Sequence, residues 1–355
     1  MLRRLSRPWG LAVSALCLGA TALAIPPAHA ATPSYVALGD SYSSGVGTRT
    51  YINDGTTCQR SVYAYPSLIA AARSYSLNFR ACSGATVADV TRAQLSALSA
   101  NTSYVTISVG GNDAGFSRVL TDCGQPSWLS NCNGAINKAQ NYIHNTLPAS
   151  VLKLYSSIRS KAPNAKVVVA GYPRIFNGED CSPLTWFSPS EETRLNQTAN
   201  LLNARLRAAA VTAGFTWANP TSAFVGHAVC DSPAWLNGLS NPISESFHPN
   251  RKGHSSGYTP LVSPKLTGTT VTSSAATLEA ARRSSSALGA SQRTYAAQDA
   301  AIEPETLTAP NLHSARALQA AKRAGVDVND PRSVDAADRT YSRAQSQAWA
   351  ARHGR

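Results

Sequence analysis

The chain predicts an α/β fold, a single three-layer α/β/α domain built on a parallel sheet, and three observations carry that prediction. Short apolar, β-prone runs alternate with longer helical stretches across residues 31–267, which is how a sheet covered on both faces reads in sequence. Three of those runs are followed directly by polar turns, at Ser41, Gly84 and Asn112, as expected where the carboxyl ends of strands carry the chemistry. The stretch is also long enough for one complete core.

The strands expected are residues 35–38, 77–81, 104–109, 166–170 and 215–218, and the helices 66–74, 87–98, 136–160 and 190–213. Before them, Arg3, Arg4 and Arg7 precede an apolar run over residues 11–25 that ends in Ala-His-Ala30. A basic start, apolar centre and small-residue end read as a secretory leader, residues 1–30, cut after Ala30. The run is short for a membrane span, so a soluble, exported protein is expected. After Gly268 the composition turns to Ala, Ser, Thr, Arg and Gln with few large apolar residues. Residues 268–355 therefore read as a mobile or partly helical extension with little to build a core, its best helical windows being 277–288 and 331–352. Asn329-Asp330-Pro331 is a good helix start.

Export decides how the cysteines read. Of seven, Cys17 lies in the leader, which leaves six: Cys58, Cys82, Cys123, Cys132, Cys181 and Cys230. An even number in an oxidising compartment argues for disulfides. No Cys-x-x-Cys pair or His cluster is present, so no metal site is expected. Net charge is +13, but the basic residues do not cluster with aromatics as nucleic-acid binding requires. A solvated basic surface, with at most a transient attraction to anionic lipid surfaces, accounts for it.

The chemistry is concentrated in four segments. Tyr35-Val-Ala-Leu-Gly-Asp-Ser41 closes a strand in a glycine-bracketed turn with a serine at its tip, beside the free N–H groups of a new helix. Those donors suit an oxyanion, and the serine is a candidate nucleophile. Gly84 in Cys82-Ser-Gly-Ala-Thr allows close backbone approach, Asn112 supplies an amide after a second strand, and His248 in Ser246-Phe-His-Pro supplies an imidazole. The segment around Ser41 lacks Gly-x-Ser-x-Gly, so the α/β-hydrolase elbow is not the reading.

In this order, serine, glycine, asparagine and histidine resemble the GDSL-type, or SGNH, hydrolase family, over roughly residues 35–255, and most resemble its secreted actinobacterial esterases, lipases and phospholipases A1. The resemblance implies a secreted serine hydrolase of carboxylic esters that works without a cofactor, as a monomer, through an acyl-serine intermediate. Ser41 and His248 would be catalytic, and the Ser41 and Gly84 N–H groups with the Asn112 amide would form the oxyanion hole. It also implies the disulfides Cys58–Cys82, Cys123–Cys132 and Cys181–Cys230. The family pattern often places an aspartate three residues before the histidine, where this chain has Glu245. Either that carboxylate or the main-chain carbonyl of Ser246 would orient His248, and the carbonyl is preferred, giving a Ser–His dyad. Asp40 and Asp113 are expected to cap helices or brace loops, and His254 to cap the helix after it. Phe116, Trp186, Phe187, Phe224 and Trp235 are candidates to line an acyl groove. A lipid or small ester is the expected substrate. A carbohydrate-ester deacetylase and a non-catalytic binding protein on the same scaffold stay open as alternatives.

Overall fold

The five apolar runs become the strands of one sheet: β1 Ser34–Gly39, β2 Ser76–Phe79, β3 Tyr104–Ser108, β4 Lys166–Ala170 and β5 Thr216–Ala218. All pair in parallel, in the order β2-β1-β3-β4-β5. The structure is a computed structural model and describes residues 32–304 and 306–353, with Met1, Leu2, Leu5, Ser6 and Trp9. The apolar run and cleavage point of the expected leader, with Cys17, lie outside the described residues. Strand β1 is apolar throughout because it is buried on both faces, with Tyr35 to Leu38 at most 1% exposed. Its register sets Gly39 beside Ser108, so β1 and β3 end level. The strand order reverses at β1, which makes the carboxyl ends of β1 and β3 the place where ligands gather in such sheets.

The helices of the α/β body are α1 Ser41–Ser44, α2 Tyr65–Arg73, α3 Val87–Asp89, α4 Phe116–Cys123, α5 Cys132–Asn145, α6 Leu147–Lys161, α7 Pro189–Thr212 and α8 Thr259–Thr267. The single helix expected over 136–160 is two, α5 and α6, broken at Thr146. Pro148 explains the break, because its ring clashes with the carbonyl four residues back and it has no N–H to donate, whereas the first turn of a new helix tolerates it. The expected helix 87–98 begins as α3, under a Thr86–Asp89 capping box, and continues in wider and then tighter turns to Ala97. One helix of the body was not expected: α4, which follows Gly115 in the left-handed region. A helix was expected after His254, and α8 supplies it, with Pro260 tolerated in its first turn and Pro264 inside it.

Residues 275–353 add α9 Ala275–Arg283, α10 Ser285–Arg293, α11 Ala296–Asp299, α12 Ala315–Ala324 and α13 Pro331–His353. These lie against the α/β body rather than apart from it, within the same compact unit. The expected lack of core material does not hold. Ala281, Leu288 and Ile302 join the main core, and Ala317, Ala320, Ala321 and Val334 form a second cluster with Trp128 and Leu129. Alanine faces let helices approach closely, so few large side chains are needed. A buried ion cluster supplies the rest. Arg60 and Arg80, both fully buried in the body, converge on Asp299, with 2.7 Å contacts from each guanidinium.

Disulfides join Cys58 to Cys82, Cys123 to Cys132 and Cys181 to Cys230. The first ties the loop beyond α1 to the segment carrying Gly84. The second closes the turn between α4 and α5, and the third links the strap before α7 to the loop that leads to His248.

Candidate active site

The turn that presents Ser41 depends on its glycine. Gly39 has φ +120°, and a Cβ there would lie 2.2 Å from the Ser108 carbonyl oxygen, so no other residue fits without moving β3. Asp40 then caps α1, accepting from the Tyr42 N–H at 3.1 Å and the Ser108 hydroxyl at 2.6 Å, and Gly45 in the left-handed region ends the helix. The result is a serine locked at the sheet edge at the start of a four-residue helix. Gly47, also at positive φ, lies under the loop bearing His248, where a Cβ would meet the Pro249 carbonyl oxygen at 2.7 Å and the His248 Cβ at 3.0 Å.

His248 Nε2 lies 2.8 Å from Ser41 Oγ, and both residues are almost wholly buried. The other ring nitrogen, Nδ1, lies 2.9 Å from the Ser246 carbonyl oxygen. A carbonyl only accepts, so Nδ1 carries the proton and Nε2 presents its lone pair to the serine hydroxyl. That is the tautomer a general base needs. Glu245, the alternative orienter, is turned elsewhere: its carboxylate accepts from the Tyr51 hydroxyl at 2.6 Å and pairs with Arg49 at 2.7 Å. The same contact, after burial, helps push Tyr51 above its ordinary range.

Gly84 takes φ +82°, a left-handed conformation. The Asn112 side-chain amide donates to the Ala85 carbonyl at 3.1 Å, which sets Asn112 beside the Gly84 segment. Asp113 accepts from the Val87 N–H at 3.0 Å and so holds the start of α3, while burial raises its carboxyl to about 6. Ser41, Gly111 and Asn112 line a groove whose walls are almost entirely apolar. Phe116 and Val119 of α4 and Ile143 of α5 form one side, and Leu195 and Leu202 of α7 the other.

The model of the GDSL-like lipase/acylhydrolase family matches residues 37–255. The chain is similar to Lipase 1 of Streptomyces coelicolor, at 45% identity over 70% of this chain and 92% of that protein. It is also similar to two solved structures. One is a phospholipase A1 from Streptomyces albidoflavus, at 41% identity and a TM-score of 0.62, matched over 66% of this chain and all of the other. The other is an extracellular lipase from Streptomyces rimosus, at 40% identity and a TM-score of 0.61, matched over 65% of this chain and 98% of the other. The chain belongs to the GDSL-like lipase/acylhydrolase family. It is a carboxylic-ester hydrolase. About a third of it has no counterpart in the S. albidoflavus structure.

Within this GDSL-type site, several sequence expectations need correcting. Of the five aromatics, Phe116 lines the groove and four do not. Phe187 packs on Phe176 and Phe247, Phe224 packs edge-on against Trp235, and the Trp186 indole donates to Asp335 in the extension. His254 caps no following helix; its Nδ1 accepts from the Tyr65 N–H at 3.3 Å, at the start of α2. Burial, then the neighbouring His248, pushes the His254 imidazole down to about 3. Two tyrosines went unrecognised. Tyr42 donates to the Phe247 carbonyl at 2.8 Å, bracing the backbone before His248, and the Tyr172 hydroxyl donates to Asp40. Both carried a signal, since Tyr42 follows the serine directly and Tyr172 follows β4 at the active edge of the sheet.

Proposed function

We propose that the protein is an extracellular hydrolase of lipid carboxylic esters, working through an acyl-serine intermediate with a Ser41–His248 dyad. His248 Nε2 takes the Ser41 proton as Oγ attacks the acyl carbon. The oxygen that gains charge sits among the Ser41 and Gly84 N–H groups and the Asn112 amide. His248 returns the proton to the departing alcohol, leaving an ester on Ser41. Water, deprotonated by the same nitrogen, attacks that ester, and the serine departs with the proton as the carboxylic acid is released. The Ser246 carbonyl holds the ring and disperses part of its charge while it is protonated.

The observation that carries this reading is the 2.8 Å approach of Ser41 Oγ to His248 Nε2 at the mouth of an apolar groove. An apolar channel favours an acyl chain over a sugar, and the relatives are named lipases and a phospholipase A1. The extracellular lipase among them, three disulfides and the basic-then-apolar amino terminus support export. The test is a panel of triglyceride, phospholipid, p-nitrophenyl and acetylated-sugar esters, together with labelling by an alkyl phosphonate and amino-terminal sequencing of secreted protein. Turnover of the long-chain lipids, with phosphonate on Ser41 and a mature start at Ala31, is expected. Preferential turnover of acetylated sugars, or phosphonate on another residue, would reject the reading.

A further inference from the structure

The two sides of the groove are separate elements, and one helix grips the leading end of each. On one side, the turn between α4 and α5 donates its Ser127 N–H to Asp338 of α13 at 2.7 Å, and its Ser127 carbonyl accepts from Gln345 of the same helix at 2.9 Å. On the other side, the strap and first turn of α7 meet α13 through the Trp186 indole on Asp335 at 3.2 Å and Ser190 against Ser346 at 2.7 Å. Beneath these contacts the Trp128 and Leu129 side chains are buried against Ala317, Ala321 and Val334.

We propose that residues 306–353 form an intramolecular clasp that fixes the spacing of the groove walls and thereby sets the preference for long acyl chains. The proposal rests on the groove being an acyl site. The wall helices α4 and α5 are tied to each other by Cys123–Cys132, and α5 meets α7 directly through Gln140 on Thr198 at 2.9 Å and Arg194 on Asn133 and Asn137. No disulfide locks that contact among the described residues, so α13 adds a second, independent tie between the walls. A chain that runs along the groove touches both walls and benefits from walls held in place before it arrives. An acetyl group occupies only the end beside Ser41 and does not sense their spacing. A clasp of this kind acts by positioning, so its signature is a change in chain-length preference rather than in chemistry.

The test compares p-nitrophenyl laurate with p-nitrophenyl acetate, using the full chain and the variants D338A/Q345A and D335A/S346A. Binding of a fluorescent long-chain fatty acid is measured alongside. The expected result is an about tenfold fall in the laurate-to-acetate ratio of kcat/KM, carried by KM, with fatty-acid affinity falling in parallel and acetate turnover within about twofold of the parent. D338N keeps an acceptor for the Ser127 N–H and should restore most of the ratio. Equal losses on both esters, an unchanged ratio or a raised one would overturn the clasp. The fatty-acid measurement needs no turnover. A parent that binds the fatty acid but cleaves no ester therefore counts against the proposed reaction, while the clasp is still judged by the change in affinity. The two variants cut the contacts of α13 to opposite walls, so a folding defect in one leaves the other to decide.

Discussion

Two dense polar clusters lie almost wholly out of water, and they are built on opposite principles. At the sheet edge, Ser41 and His248 meet at 2.8 Å, and the ring is held by a main-chain carbonyl rather than a carboxylate. Beneath the Cys58–Cys82 bridge, Arg60 and Arg80 enclose Asp299, and Asp54 takes a second contact from Arg60 at 2.7 Å. The first cluster is arranged for His248 to take the Ser41 proton and give it up again. The second consists of full charges with their partners in place, and desolvation lowers the proton affinity of Arg80. Breaking one partner out of such a cluster strands the others. One cluster is poised to change its charge, and the other is stable only if its charges never change.

Single substitutions can test this contrast. Ser41→Ala should lower kcat on any cleaved ester by at least about 10⁴-fold while leaving the melting temperature within about 2 °C. A large shift in melting temperature would mean that the serine also holds the turn together. Asp299→Ala should do the reverse. It leaves two fully buried guanidinium groups with a single acid between them and should cost about 3–5 kcal/mol of stability, read by urea unfolding. Turnover per folded molecule should stay within about twofold, because Asp299 contacts Arg60 and Arg80 and does not line the groove. A loss below about 1 kcal/mol would show that water reaches the two arginines.

Both clusters join residues more than two hundred positions apart, 207 for Ser41–His248 and 239 for Arg60–Asp299, yet only the first was legible. Ser41, Gly84 and Asn112 each follow a strand directly, so the topology forces them to one edge, and a known order of motifs supplies the histidine. Asp299 sits in Ala-Gln-Asp-Ala-Ala with no motif, and nothing local tells a buried acid from a solvated one. The groove was misread for a related reason. Aromatics stand out in a sequence, but Phe187, Phe224 and Trp235 pack into loops, whereas the walls use Ile143, Leu195 and Leu202 on helical faces whose direction depends on packing. Strand positions and the parallel sheet were legible because burial on both faces leaves continuous apolar runs; the strand order was not. The docking of the extension was not, since alanine-rich faces pack closely without an obvious apolar stripe.

Within the reactive cluster the expected effects fall off with distance from the transferred charge. Asn112→Ala removes one donor of the proposed oxyanion hole and should lower kcat by about 10²–10³, with KM nearly unchanged. Next comes His254, which gives the sheet edge a pH dependence. Its folded value near 3 lies below the ordinary 6.5, so between those values only the unfolded chain binds the proton. The stability that His254 contributes is therefore complete above pH 6.5 and is lost as pH falls toward 3. His254→Gln should be destabilising at pH 7.5, and that deficit should shrink by about 1.4 kcal/mol for each unit below 6.5. Urea melts at pH 7.5 and 5.0 measure it; a deficit that stays constant would mean the imidazole is charged in both states or in neither.

The smallest effect tests the choice of orienter. Glu245 stands where an acid partner for His248 would be sought, but it is spent on Arg49 and Tyr51, and its own carbonyl accepts from the Asn237 amide at 3.2 Å. Glu245→Ala should therefore lower kcat by no more than about threefold. The change should come from loosening of the loop, since the Ser246 carbonyl still faces Nδ1 and fixes the tautomer. If the carboxylate were the true partner, its loss would release the ring and misplace the proton, and triad logic puts that at about 10⁴-fold. The pH profile separates the cases further. An ionised partner raises the affinity of the imidazole for its proton, so removing it would move the acidic limb of kcat/KM to lower pH, whereas a neutral carbonyl partner leaves that limb in place. A threefold loss with an unmoved limb is the result expected of a dyad.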